Sequence, residues 1–95
     1  MAIDTAYAVE PMDADGCFAL GMNFSIGAGS AVDLIEAHKW FNIAAMRGHA
    51  DGARLRREIA AQMADAEIGR AQRAARDWLK SHPQPARRVD IRAAA

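Results

Sequence analysis

The sequence predicts an all-α protein of about four helices, arranged as two antiparallel helix pairs that stack as a short α-α superhelical repeat. The first observation is composition: the chain is rich in alanine and only 6% of its residues are aromatic, which favours helices packed closely through small side chains. The second is that apolar residues recur at three- and four-residue spacing. The third is a weak internal repeat.

Length and charge limit the class of protein. With 95 residues, the chain is at most one domain and is close to the lower size limit for a self-sufficient core. Its formal net charge is zero, so the whole chain has no strong attraction to nucleic acid or to an anionic membrane. Residues 1–50 hold two basic and six acidic side chains. The first half is therefore acidic and the second half basic.

A single cysteine, Cys17, excludes an internal disulfide framework and suits a reducing compartment. The N-terminus lacks the basic start and apolar run of a secretory signal, and no stretch reaches the roughly 20 apolar residues of a membrane span. We therefore expect a cytoplasmic protein with no membrane partner.

Residues 1–12 have no helical period and are predicted to be a flexible N-terminal arm. The repeat domain is predicted over residues 13–81, and its first helix begins where Asp13 or Asp15 can accept hydrogen bonds from unpaired amides. Gly27 and Gly29 end this helix, because glycine adopts the positive φ values of a tight reversal. One face carries Cys17, Leu20, Gly21 and Phe24.

The second helix is predicted from about Ala31 to Arg47. Ser30 with Asp33 forms a start signal close to a capping box, and Gly48 supplies the C-terminal stop. Its predicted inward face consists of Leu34, Ala37, Trp40, Phe41, Ala44 and Ala45. The opposite face is predicted to carry Glu36, His38, Lys39 and Asn42.

The second half of the chain resembles a degenerate repeat of the first. Ala14-Asp15-Gly16 recurs as Ala50-Asp51-Gly52, 36 residues later. The copy predicts a helix over about Asp51 to Gln62 and another from Asp65 to about Lys80, and residues 82–95 are predicted to be a disordered C-terminal tail. The predicted inward residues are Leu55, Ile59 and Met63, then Ile68, Ala71, Ala75, Trp78 and Leu79.

One string in the first half matches a known repeat pattern. It reads Leu20-Gly21-x-x-Phe24-x-x-Gly27-x-Gly29, then Asp33, Glu36-Ala37-x-x-Trp40-Phe41-x-x-Ala44-Ala45-x-x-Gly48, and finally Ala53. The string resembles the Sel-one-like repeat family, relatives of the tetratricopeptide repeat. The resemblance implies helix pairs that stack into superhelices and hold other proteins, with no catalytic residue in the motif.

The physical interpretation of the string agrees with that resemblance. Gly21 and Ala45 are small where the first two helices would cross, and Trp40 and Phe41 would fill the space between helices. The second copy is weaker, because Arg56-Arg57 replaces Leu-Gly and the Gly-x-Gly turn is missing. It resembles a terminal cap.

Candidate catalytic and ligand sites are weak. Gly27-Ala28-Gly29 resembles a dinucleotide loop only superficially, because a helix precedes it and Val32 occupies the third small position. Cys17 on the apolar face is expected to be an inert buried thiol. The histidines, which lack metal-ligand spacing, are expected at the surface: His38, His49 and His82. We expect no catalytic residue, metal, cofactor or small-molecule substrate.

The candidate partner-binding residues are arginines of the basic half: Arg54, Arg57, Arg70, Arg73 and Arg76. Three of them lie three residues apart on the last helix, as a stripe that could meet phosphates or carboxylates. Interleaved acidic residues and the lack of an aromatic residue for base stacking argue against nucleic acid. The favoured hypothesis is a non-catalytic interaction module or small adaptor subunit that binds another protein. The alternative is a self-associating homodimer, with a nucleic-acid contact as the weaker third option.

Overall fold

The computed structural model describes residues 13–83, and within them the chain forms four α-helices and no strand. The helices are α1 (Ala14–Ile26), α2 (Leu34–Met46), α3 (Gly52–Ala60) and α4 (Asp65–Ser81). The all-α prediction is confirmed. The predicted N-terminal arm at 1–12 and most of the predicted tail lie outside the described residues.

Helix α1 starts and ends as its sequence predicts. The Asp13 carboxylate accepts a hydrogen bond from the Gly16 amide at 2.7 Å and caps the first turn. At the other end Gly27 and Gly29 have φ values of 75° and 80°. This left-handed conformation suits glycine and turns the chain back towards α1.

The start of α2 differs from the prediction. Asp33, rather than Ser30, is the cap: its carboxylate accepts a hydrogen bond from the Glu36 amide at 3.1 Å, and the helix begins at Leu34. The physical reason lies in the turn, because the Asp33 amide donates to the carbonyl of Phe24 at 3.0 Å. That bond holds residues 28–33 against the end of α1 in a non-helical path. Gly48, with φ 99°, follows the end of α2 as predicted.

Helix α2 is the centre of the structure. The helix pairs in extensive contact are α1 with α2, α2 with α3, and α2 with α4. Phe18 and Gly21 of α1 meet Phe41, and Phe18 also stacks on His49, so α1 runs antiparallel to α2. Helix α4 runs parallel to α2, since Trp78 meets Trp40 and the later His82 meets Arg47.

The core consists of two clusters of buried residues around α2. One cluster is fully or nearly buried where α1, α2 and α4 meet: Cys17, Trp40, Ile43, Ala44 and Ala75. The other lies between α1, α2 and α3, with Ala37, Phe41 and Ile59 buried at its centre. Trp40 was expected between the first two helices, but its edge also packs on Trp78 of α4, with ring centroids 5.2 Å apart. It therefore joins three helices.

Close approach at two glycines fixes how the helices cross. A Cβ at Gly21 would lie 2.6 Å from the Phe41 ring, which confirms that a small residue is needed there. At Gly52 a Cβ would lie 2.7 Å from the backbone nitrogen of Ala45. The contact shown at Ala45 is therefore with the start of α3, whereas the sequence predicted the crossing with α1. The sequence did not reveal the contact between Ala45 and α3. The Asp-Gly motif that contains Gly52 indicated a repeat and gave no sign of close helix packing.

Candidate functional site

All five predicted partner-binding arginines are exposed. Arg54 and Arg57 lie on α3, and Arg70, Arg73 and Arg76 lie on α4. Arg54 is paired on its own helix, whereas Arg57 makes no ion pair or side-chain hydrogen bond among residues 13–83.

On α3, Arg54 is already engaged by its own helix. Its guanidinium lies 3.3 Å from Asp51 and 3.3 Å from Glu58. The hydrogen bond to Asp51 is the main reason that the pKa of Arg54 is raised. This arginine is therefore a poor candidate for a strong contact with a partner.

On α4 the arginines are unpaired. Within residues 13–83, Arg70, Arg73, Arg76 and the nearby Lys80 make no ion pair or side-chain hydrogen bond. We call these four residues the basic row. Their exposure follows from the helix itself, because Ala71 and Ala75 are buried on the opposite side, against the core.

Two other residues of α4 affect the charge and the side-chain positions of the basic row. Asp77 is the acidic residue that lies among the four cations in the sequence, and it is exposed. Gly69 gives room for a guanidinium, since a Cβ built there would lie 3.4 Å from a terminal nitrogen of Arg73. The side chain of Arg73 therefore lies back along the helix towards its N-terminus.

The aromatic residue of α4 is not open to stacking by a ligand. Trp78 meets Trp40 edge-on and stacks on His82, with ring centroids 4.0 Å apart and planes 7° from parallel. The Arg47 guanidinium lies 5.1 Å from the Trp78 ring centre and donates a hydrogen bond to the carbonyl of His82. His82 therefore packs on the domain, although the predicted tail begins at that residue.

The expectation of surface histidines is wrong for His38. That ring is 2% exposed on α2, and its Nδ1 atom has no hydrogen-bond partner in the described structure. Burial lowers the pKa of His38, and the positive charge of Arg56 lowers it further. Arg56 itself donates a 2.7 Å hydrogen bond to Asn42 across the α2–α3 contact. The sequence placed His38 outside because α2 was treated as one-sided.

His49 and Cys17 have structural surroundings. His49 stacks on Phe18 at 3.9 Å, and its Nδ1 accepts a hydrogen bond from the Asp51 amide. Cys17 is fully buried, as expected, and burial raises the pKa of its thiol. Among residues 13–83 there is no group of three histidine, cysteine or carboxylate side chains placed to hold a metal ion.

A second surface is apolar and uncharged. Residues 16–32 include no charged side chain, and at the turn after α1 the side chains of Ile26 and Val32 are 65% and 55% exposed. Val32 lies over Gly27, with a methyl 3.2 Å from where a Cβ would be. This apolar turn is far less polar than the basic row.

Comparison of the chain with protein-family models, curated proteins and solved structures found no match. None of the helices in the described part of the chain is both long and apolar enough to cross a membrane. Within residues 13–83 the fold is an all-α arrangement of four helices built around one central helix.

Proposed function

We propose that this chain is a non-catalytic protein-protein interaction module, or a small accessory subunit, that binds a partner through the outer faces of its helices. The supporting observation is the packing around α2: this helix contacts the other three, so α1, α3 and α4 each keep an outward face that no described element covers. An exposed helix face is a common docking surface for another protein.

The Sel-one-like repeat remains our proposal for the family. It rests on the string that runs from Leu20 to Ala53, and the positive φ values at Gly27 and Gly29 suit the reversal that the string requires. In this proposal α1 and α2 are the intact repeat, and α3 and α4 are a terminal cap. The cytoplasm stays the proposed compartment, because a single cysteine suits a reducing environment.

Self-association is the second candidate, and one observation favours it. The apolar turn exposes Ile26 and Val32, and residues 16–32 include no charged side chain, which favours contact between two copies at this surface. A two-fold arrangement would place the same surface on both copies.

Photo-crosslinking in the native host tests both candidates. A photoreactive amino acid would replace Ala19 on α1 or Gln72 on α4, both exposed, and Ile43, fully buried, as the control position. The interaction module predicts an adduct with one different protein from an exposed position and none from position 43. The homodimer predicts an adduct of twice the chain mass at position 19, together with a dimer by sedimentation. A monomer that forms no protein adduct at either exposed position would contradict both.

A further inference from the structure

We propose that the basic row of α4 binds an acidic helical segment of a partner protein, in which glutamate or aspartate recurs every three to four residues. This inference deepens the proposed function and rests on it. It names the surface and the chemistry of the partner.

Within the described residues, the fold leaves the positive charges of the basic row without partners. Several cations elsewhere in the described structure have partners close by: Arg54 meets Asp51 and Glu58, and Lys39 lies 3.3 Å from Glu36. Arg57 on α3 is a single unpaired cation in the described structure, whereas the basic row places four along one helix. Glu67, at the start of α4, is used instead to accept a hydrogen bond from the Ala64 amide at 2.9 Å, so it does not neutralise the row.

The spacing of the basic row matches the repeat of a partner helix. Arg70 and Lys80 are ten residues apart on a continuous helix, which is about 15 Å along its axis. Successive cations are three to four residues apart, or about 5–6 Å. A partner helix whose acidic residues recur at the same spacing can oppose each cation with a carboxylate, and paired guanidinium and carboxylate groups favour this geometry.

The surroundings of the basic row disfavour single-stranded nucleic acid, the main alternative for a basic surface. Recognition of single-stranded nucleic acid relies on aromatic rings that stack on bases. The Trp78 ring is occupied by Trp40 and His82. Asp77 within the row would also repel a phosphate chain, whereas a helical partner can leave one position opposite it uncharged.

The test is peptide binding to the full chain, measured by fluorescence anisotropy. The probe is an alanine-rich helical peptide of about four turns, roughly 15 residues, with glutamate at alternating three- and four-residue spacing. The matched peptide has glutamine at the same positions. We expect the glutamate peptide to bind, the glutamine peptide to fail, and the affinity to fall as salt rises, because exposed ion pairs are screened.

Variants locate the contact. R70Q and R73Q should each weaken binding by about 1.5- to 5-fold, the effect of one exposed ion pair. R54Q is the control, since its guanidinium is already held by Asp51 and Glu58, and it should bind like the wild type. Circular dichroism would establish that each variant is folded.

Three outcomes would overturn the inference: equal binding of the glutamine peptide, an equal loss in R54Q, or tighter binding of oligouridylate that R73Q abolishes. The proposed function as an interaction module does not depend on the acidic-helix inference. If the peptide does not bind but position 72 or 19 still forms an adduct with another protein, only the acidic-helix inference fails. If no position forms an adduct, the proposed function fails as well.

Discussion

The two halves of the chain differ in how their helices pack, although the second half resembles the first in sequence. Helices α1 and α2 form an interlocked pair, with side-chain caps at Asp13 and Asp33 and close contact between Gly21 and Phe41. Helices α3 and α4 each pack on α2, and the pair is not among those in extensive contact. Neither starts with a side-chain cap from its N-cap residue. A repeat copy can therefore lose the packing between its own two helices when each of them packs on a neighbouring helix instead.

The tryptophans provide the largest expected contrast between the halves. Trp40 is 7% exposed and packs against both α1 and α4, so Trp40→Ala should cost roughly 3–5 kcal/mol of unfolding free energy. Trp78 is only partly buried, so Trp78→Ala should cost clearly less. Chemical denaturation followed by circular dichroism measures both. Equal losses would mean that the second copy stabilises the core as much as the first.

Substitutions at Gly52 and Gly21 test whether the position of α3 depends only on its contact with α2. Gly52→Ala would place a Cβ 2.7 Å from the Ala45 backbone, which cannot rotate away. The clash should cost about 1–3 kcal/mol, which exceeds the gain of up to about 1 kcal/mol from alanine's helix propensity. Hydrogen exchange should speed up mainly in α3. Gly21→Ala is the matched variant, and it should loosen both α1 and α2, because Phe41 must move.

Acid should weaken the contact between α2 and α3. The pKa of His38 is lowered in the folded state, so below the unfolded value of about 6.5 the unfolded chain binds more protons. The contribution of His38 to stability should be constant above that pH and should fall as pH decreases, by at most about 1.4 kcal/mol per unit. Denaturation at several pH values between about 7 and 5 measures the slope. His38→Gln should remove much of the slope. If it leaves the slope unchanged, other groups cause the acid effect.

The smallest expected effect is at the turn of the intact pair. Gly29 has a φ of 80° and nothing within 4 Å of a built Cβ, so Gly29→Ala should cost only the left-handed conformation, about 1–2 kcal/mol. Gly27→Ala adds a contact of 3.0 Å with the Ser30 carbonyl and should cost more. Thermal melting ranks the two. Calorimetric detection of nucleotide binding by the wild type would instead revive the phosphate-loop interpretation.

Periodicity predicted the four helices well, because local spacing and glycine signals determine where helices form. Helix α4 is predicted as Asp65 to Lys80 and observed to Ser81. The errors arise where tertiary contacts decide. The predicted start at Ala31 failed because the Asp33 amide bonds to Phe24, a contact between elements that no local signal reports.

Tertiary contacts also explain why two residues of α2 are buried although the sequence did not predict it. Ile43 is fully buried and His38 nearly so, but neither lies on the predicted inward face. A rule for one-sided helices fails for a helix with neighbours on three sides. The arginines were found because charge and spacing are visible in a sequence. Side-chain geometry was needed to separate the engaged Arg54 from the arginines that are unpaired in the described structure, which are Arg57, Arg70, Arg73 and Arg76.

The burial of Cys17 gives the protein a built-in reporter of local opening. Its thiol is fully enclosed beside Trp40 and Ile43, and its raised pKa reduces the fraction of reactive thiolate. A thiol reagent can therefore modify Cys17 only in molecules in which the contact among α1, α2 and α4 has opened. When reclosing is faster than modification, the labelling rate is proportional to the population of that opened form. A single natural side chain thus allows the opening of this cluster to be timed separately from global unfolding, without an added probe.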